Sequence, residues 1–343
     1  MPASHDTVDS PAAPARIHLL ATGGTIAATA SRDGHTRYTA GALGPEALIE
    51  AVPGISEIAT LTVEQIAAVG SQNISHAIWI DLARRVTQLQ ADPQIDGVVI
   101  THGTDTLEET AYFLSLVLRR DKPVVLVGAM RPAHALSADG PGNVLRAIAL
   151  AGHAPAAVWG PVVVMNDSIY AAADVQKTSA SGVQAFGSPN GGPIGLMQGL
   201  TPVFLHAPAA ERTEPAFEIA GVRPDDLPVV TIIHAHAGQN GRGVRDASAW
   251  AQGIVLAGVG EGNATDDVWQ AIRQAVDAGV QVVRASRCAG GLVARNGEVD
   301  DNALGTVAAR LLNPAKARIL LMLALRVSTE PTAIQRFFDE NSK

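Results

Sequence analysis

The chain has 343 residues, which is enough for two domains or one large one. Its hydrophobic fraction of 47% and charged fraction of 17% are ordinary for a globular protein with a sizeable core. A net charge of −8 without a concentrated basic patch argues against a nucleic-acid partner. The single cysteine, Cys288, excludes an intramolecular disulfide and any zinc site built from several thiolates.

The N-terminal stretch, residues 1–15, is rich in proline, alanine, serine and aspartate. It has neither the basic start nor the apolar run of a secretory signal, so we expect a disordered tail and a cytoplasmic location. A periplasmic location is the alternative if a signal has been removed. The first apolar run, Ile17–Ala21, is too short to cross a bilayer, and we expect no membrane partner.

Short apolar runs alternate with helical patterns in the first two thirds of the chain. Continuous apolar strands between amphipathic helices are typical of a mostly parallel, doubly wound sheet that is covered on both faces. The predicted strands are Ile17–Thr22, Gly97–Thr101, Pro123–Val127 and Pro161–Met165, and the clearest helices are Ala77–Leu89 and Leu107–Arg120.

The alternation stops over residues 206–227, which are rich in proline, alanine and charge, and we interpret this stretch as an interdomain linker. A smaller set of strands follows, at Val229–His234, Gly253–Ala257 and Val280–Ala285. The predicted fold is therefore α/β in two domains. A larger N-terminal domain spans residues 16–205, and a smaller C-terminal domain spans residues 228–343.

Two strand ends carry glycine and threonine together, in the segments Ala21–Ile26 and Thr101–Thr106. The glycines do not have phosphate-loop spacing, and no lysine follows a glycine, which argues against nucleotide binding. The first segment presents a hydroxyl, Thr25, beside exposed backbone N–H groups, and this suits a nucleophile next to an oxyanion site. The second presents Thr104 with a carboxylate, Asp105, beside it.

A threonine hydroxyl needs a base, and a lysine amine can act as one. Lysine is scarce in this chain, with four residues. Lys122, Lys316 and Lys343 fall where we expect solvated side chains. Lys177 follows a predicted strand end in a polar loop, on the side of the sheet where the threonines lie. Alone it would be an ordinary surface lysine, but with the two threonines it becomes the candidate base.

The two segments Leu20–Ala27 and Ile100–Leu114 closely resemble those of the bacterial-type asparaginase and glutaminase-asparaginase family. Further matches follow in the same order along nearly the whole chain, at residues 37–41, 70–73, 127–132, 137–143, 175–178, 258–263, 296–301 and 312–318. The resemblance implies hydrolysis of the side-chain amide of asparagine, with glutamine as a lesser substrate and no cofactor.

The resemblance also implies catalytic roles. Thr25 would be the primary nucleophile on a mobile loop, with Tyr38 assisting it, and the stretch between them would act as a lid. Thr104, Asp105 and Lys177 would form a second set in which Lys177 moves protons and Asp105 balances its charge. Which threonine forms the acyl-enzyme stays open.

Substrate contacts are implied in the same way. Asp105 and Glu298 would hold the α-amino group, Ser71 with backbone N–H groups would hold the carboxylate, and Gln72 would bridge nearby. The carbonyl of Ala129 would receive the leaving amide nitrogen.

In the family, Glu298 and Asn263 enter the site from a neighbouring subunit, which implies a homotetramer built as a dimer of catalytic dimers. Asn263 is associated with preference for asparagine. Glu261 departs from the family pattern, and it would either strengthen amine binding or disfavour ionisation of neighbouring carboxyl groups.

Other polar and aromatic residues are interpreted as structural. His234 and His236 share one face of a strand, but no carboxylate follows at useful spacing, so we expect no metal. We expect His102 to hold its turn by hydrogen bonds. Acids at 108 and 109 suit the first turn of a helix, and we expect Trp79, Trp250 and Trp269 to pack.

The sequence leaves two other functions open. One is a sensor that binds an amino acid without turnover, which would not need Thr25, Tyr38, Thr104, Asp105 and Lys177 together. The other is a glutaminase or an amidotransferase component, and the chain has no basic tRNA-facing patch that would support the latter.

Overall fold

The computed structural model describes residues 13–24, 52, 54–208 and 213–342, together with the backbone of residues 29–30 and 38–39. Within these residues the strands form an eight-stranded sheet, a four-stranded sheet and two short pairs. In chain order they are β1 (Ala15–Gly23), β2 (Thr29–Ala30), β3 (Tyr38–Thr39), β4 (Ala59–Val69), β5 (Gly97–Thr101), β6 (Val124–Val127), β7 (Pro161–Met165), β8 (Ser168–Ala171), β9 (Gln176–Lys177), β10 (Phe186–Gly187), β11 (Gly195–Gln198), β12 (Thr201–Phe204), β13 (Val230–His234), β14 (Gly253–Gly258), β15 (Gln281–Ser286) and β16 (Val307–Ala308).

The described α-helices lie between these strands and at the C-terminal end. They are α1 (Ile55–Ile58), α2 (His76–Ala91), α3 (Leu107–Val117), α4 (Gly140–Ala151), α5 (Arg242–Ser248), α6 (Asp266–Asp277), α7 (Asp301–Leu304), α8 (Pro314–Ala324) and α9 (Pro331–Asn341).

The larger sheet has the order β12-β11-β8-β7-β6-β5-β1-β4. The five strands from β7 to β4 are parallel, and the three at the other edge are antiparallel. Asn166 and Asp167 make the change of direction, because both have positive φ (48° and 64°) and close a two-residue hairpin between β7 and β8. The predicted mostly parallel sheet is confirmed, and the antiparallel edge was not predicted.

Alternate residues of the central strands face two separate cores. Val98 and Ile100 point toward α2 and α3, whereas Val99 points toward α4. Every residue of β5, β6 and β7 is buried. This explains why these strands are continuously apolar in the sequence.

The smaller sheet is parallel, in the order β13-β14-β15-β16. One face packs against α5 and α6, and the other packs against α8. Helix α8 also packs against α3 of the larger unit, so its buried leucines belong to one core with the helices of that unit. In the predicted linker, Phe217 and Ile219 are buried in the same core. The predicted fold class of two α/β units is confirmed.

Candidate active site

The two glycine–threonine segments meet because β1 and β5 are adjacent and parallel, with Ala21 opposite Thr101. The chain leaves β1 for β4 on one side and returns to β5 on the other, which creates a topological switch point at their carboxyl ends. Gly24 has φ of 86°, and a Cβ there would lie 2.5 Å from the N and Cα of Gly103. The first turn therefore rests directly on the second, and only glycine fits at this contact.

Ser71 lies against the same turn after β5. A Cβ on Gly103 would lie 2.8 Å from Ser71 Oγ, which already accepts the backbone N–H of Asp105 at 3.1 Å. Thr106 Oγ1 donates to the Ser71 carbonyl at 2.7 Å. Ser71 is thus buried against the turn that carries Thr104, and Gln72 next to it is exposed.

Lys177 reaches this turn from β9. Its Nζ donates to Thr104 Oγ1 at 2.9 Å and to Asp105 Oδ1 at 2.6 Å. Thr104 is buried, and the Lys177 side chain is 16% exposed, while that of Asp105 is 62% exposed and open to solvent. The structure therefore brings the hydroxyl, the amine and the carboxylate together. An amine in this position can exchange a proton with the hydroxyl while the carboxylate balances its charge.

The turn after β6 closes another side of this group. A Cβ on Gly128 would lie 3.0 Å from Thr104 Cγ2, so the backbone that leads to Ala129 packs on the threonine. Asn143 Nδ2 donates to the Gly128 carbonyl at 3.1 Å and fixes this turn. Ala129 itself is 1% exposed.

His102 holds the turn from behind, as expected from the sequence. Its Nδ1 donates to the Gly103 carbonyl at 2.6 Å, which leaves Nε2 to accept from Thr110 Oγ1 at 2.8 Å. Trp79 Nε1 donates to that same hydroxyl oxygen at 2.8 Å. Burial lowers the pKa of His102 to about 4, so the imidazole is neutral at pH 7.

Two predicted catalytic residues are not placed by their side chains. Thr25 lies outside the described residues, one position after Gly24. Tyr38 is described only by its backbone, which pairs with that of Ala30. Their roles stay predictions.

Asn263 and Glu298 lie elsewhere in the chain. Both line a surface cavity of about 470 Å³ beside α6, and neither Thr104 nor Lys177 lines it. Asn263 Oδ1 accepts the indole N–H of Trp269 at 3.2 Å, which fixes the amide at the cavity wall. Within one chain, this cavity does not include Thr104, Asp105 or Lys177, which together form the lysine–threonine group.

The carboxylate of Glu261 accepts the backbone N–H of Ala294 at 2.7 Å. It therefore ties the turn after β14 to the loop that carries Glu298. This contact gives Glu261 a structural role that requires no effect on amine binding or on the ionisation of neighbouring carboxyl groups.

Two predictions from the sequence are wrong, because Lys316 is 1% exposed instead of solvated and Trp250 is 58% exposed instead of packed. Glu108 lies in the first turn of α3, as predicted, but the helix dipole does not fully explain it, because it is buried and accepts the backbone N–H of Lys177 at 2.5 Å. For Lys316, the only signal in the sequence is the scarcity of lysine.

The described part of the chain contains no group of three or more histidine, cysteine, aspartate or glutamate side chains that could hold a metal ion. Among the same residues, no helix is long and apolar enough to cross a membrane.

Together, the fold and the site define an α/β enzyme whose parallel strand ends hold a hydroxyl, an amine and a carboxylate within hydrogen-bond distance. Residues 16–209 match the family model described as "Asparaginase, N-terminal", and residues 229–338 match "Glutaminase/Asparaginase C-terminal domain". The chain therefore belongs to the asparaginase family and is an amidohydrolase.

Individual relatives agree with this assignment. The chain is 42% identical to a "Probable L-asparaginase periplasmic" of Haemophilus influenzae, over 94% of this chain and 92% of the relative. It is also 42% identical to a "Glutaminase-asparaginase" of Pseudomonas fluorescens, over 95% and 90% of the two chains. The crystal structure of a "Probable Cytoplasmic L-asparaginase" from Campylobacter jejuni superposes with a TM-score of 0.86 at 40% identity, covering 94% of this chain and 99% of the other.

Proposed function

We propose that this protein hydrolyses the side-chain amide of L-asparagine to L-aspartate and ammonia, with lesser activity on L-glutamine. The observation that carries the proposal is the contact of Lys177 Nζ with both Thr104 Oγ1 and Asp105 Oδ1, at 2.9 and 2.6 Å. Relatives with both names, asparaginase and glutaminase-asparaginase, support an amide of this kind as the substrate.

The chemistry proceeds in two halves. A threonine oxygen attacks the amide carbon as its proton passes to a base, and the collapse of the tetrahedral adduct releases ammonia and leaves an ester. Water then cleaves the ester to give the acid and the free hydroxyl. In its neutral amine form, Lys177 is proposed to accept the hydroxyl proton and to pass it to the leaving nitrogen, so that ammonia departs, while Asp105 is the neighbouring carboxylate. In the second half, a proton of the attacking water returns to the threonine oxygen. We propose Thr25 as the primary nucleophile, assisted by Tyr38, with Thr104 as the deeper hydroxyl.

The charged ends of the amino acid are recognised separately. Asp105 and Glu298 are proposed to hold the α-amino group, and Ser71 with its neighbouring N–H groups to hold the carboxylate. Gln72, next to Ser71, is proposed to contact the substrate. The Ala129 carbonyl is proposed to accept a hydrogen bond from the leaving amide nitrogen. Asp105 is exposed beside the buried Ser71, which supports the binding of the substrate's ammonium and carboxylate groups next to each other.

The site is proposed to be completed by a second copy of the chain, in a homotetramer built as a dimer of catalytic dimers. The separation of Asn263 and Glu298 from Lys177 within one chain supports this assembly. A cytoplasmic location is also part of the proposal. Fractionation of cells would distinguish the cytoplasm from the periplasm, which both occur in the names of relatives.

Ammonia release by the purified protein, measured on asparagine and on glutamine, tests this function. We expect faster release from asparagine, and a loss of at least about 100-fold in kcat for Thr25→Ala and for Lys177→Met. Lys122→Met is the matched control, since the ammonium of this lysine donates to two backbone carbonyls at the end of α2. Full activity in Thr25→Ala or Lys177→Met would remove that residue from the mechanism, and binding of asparagine without ammonia release would indicate a sensor.

A further inference from the structure

Glu108 joins the turn that carries Thr104 and Asp105 to the strand that carries Lys177. It lies in the first turn of α3, directly after the turn that carries Thr104 and Asp105, and it is 8% exposed. One carboxylate oxygen accepts the backbone N–H of Lys177 at 2.5 Å. The other accepts Asn313 Nδ2 at 2.9 Å. Both oxygens are therefore committed to holding backbone and amide groups.

Lys316 holds the segment just before Lys177. Its ammonium donates to the carbonyl of Ala173 at 3.0 Å and to the carbonyl of Val175. Asn313 Oδ1 in turn accepts the backbone N–H of Lys316 at 3.0 Å and caps α8. The first turn of α8, in the C-terminal unit, thus holds the segment that leads into β9 and Lys177.

Burying an ammonium group carries a large desolvation penalty. Burial lowers the pKa of Lys316 to about 8, although the carboxylates of Glu108, Asp174 and Glu109 act in the opposite direction. The ammonium nevertheless satisfies two backbone carbonyls, and a buried carbonyl without a donor is destabilising. Lys316 therefore fixes the backbone segment that leads into Lys177.

The backbone at Lys177 otherwise has modest support. It belongs to a two-residue strand whose partner is the two-residue strand β10. A displacement of about 1 Å in a catalytic group can lower a rate on the order of 100-fold. The orientation of the amine therefore depends on what grips this short strand from the other side.

We propose that Glu108, Asn313 and Lys316 are positioning residues that fix the main chain at Lys177, so that its amine reaches Thr104 and Asp105. Helix α8 then takes part in the active site without touching substrate. The inference rests on the proposed function of Lys177, and it adds a contribution from the C-terminal unit of the same chain.

The sharpest test uses Glu108 and its neighbour. Glu108→Ala removes the acceptor for the Lys177 N–H and is expected to lower kcat on asparagine on the order of 100-fold, with little change in KM. Glu108→Gln keeps an acceptor oxygen and should restore most of the activity. Glu109→Ala removes an acid from the same helical turn that pairs with Arg318, and it should stay within about threefold of wild type.

A second pair of variants tests the lysine. Lys316→Met should lower kcat in the same way as Glu108→Ala. Lys122→Met removes a partly buried lysine whose ammonium also donates to two backbone carbonyls, at the end of α2, and it should not lower kcat. Equal kcat values in the two methionine variants, or failure of Glu108→Gln to exceed Glu108→Ala, would overturn the proposal.

A crystal structure separates this idea from the proposed function itself. In Glu108→Ala or Lys316→Met, the distance between Lys177 Nζ and Thr104 Oγ1 should exceed hydrogen-bond range. An unchanged distance would refute the positioning role. Full activity of Lys177→Met would instead refute the function of Lys177. The distance between Lys177 Nζ and Thr104 Oγ1 in the other two variants would still decide whether Glu108 and Lys316 hold the strand.

Discussion

At His102, a neutral imidazole carries the hydrogen bonds that shape the turn beside Thr104. The Gly103 carbonyl can only accept, so Nδ1 must carry the proton and Nε2 must stay free to accept from Thr110. Protonation would place a second proton on Nε2, facing a hydroxyl whose oxygen already accepts from Trp79. One residue thus makes the geometry of the site sensitive to acid.

The acid sensitivity of His102 has a definite sign. Its pKa is about 4 in the folded protein against 6.5 for the free side chain, so between these values the unfolded chain binds more protons. The stabilisation is present above pH 6.5 and is lost as pH falls toward 4, by about 2 kcal/mol at pH 5. Urea unfolding of wild type and His102→Gln from pH 7 to pH 4.5 measures it. The difference between the two proteins should shrink with acid, and parallel pH curves would contradict the assignment.

At the scale of elements, the strand ends could be predicted because one short segment of the sequence contains the whole signal for each of them. An apolar run followed by Gly23-Gly24, or by His102-Gly103-Thr104, marks a buried strand and its turn without knowledge of any partner. The contact of Glu108 with Lys177 joins residues 69 positions apart, and that of Lys316 with Ala173 joins residues 143 apart. Such pairs depend on how helices pack, and helical spacing alone gives no sign of them.

The meeting of the two turns gives a prediction at the same scale. Gly24→Ala would place a Cβ 2.5 Å from the Gly103 backbone and force the turn after β5 away from Lys177. Gly54→Ala is the matched control, since Gly54 also has positive φ but its Cβ would meet nothing within 4 Å. Both variants should lose about 1 kcal/mol from backbone strain. Only Gly24→Ala should also lose kcat, by tenfold or more, measured by ammonia release; equal kcat in both variants would show that the contact is unimportant.

For the whole molecule, the C-terminal unit presents a second group of functional candidates on an organised loop. The buried guanidinium of Arg284 binds both oxygens of Asp301 at 2.6 and 2.7 Å. It also donates to the carbonyls of Glu261 and Ala294, which ties together the loops that carry Asn263 and Glu298. This loop is held by a buried ion pair, and it lines a cavity that does not include Lys177, as the proposed shared site requires.

Complementation between subunits tests whether the active site is shared. Lys177→Met and Glu298→Ala chains should each be nearly inactive alone. When they are co-expressed with different tags, a mixed pair regains one intact site, from Lys177 of one chain and Glu298 of the other. Random pairing of equal amounts makes half of the pairs mixed, so activity should return to about a quarter of the wild-type value. Size-exclusion chromatography must confirm that each variant still assembles. Mixed assemblies that stay inactive would place each complete site within a single chain.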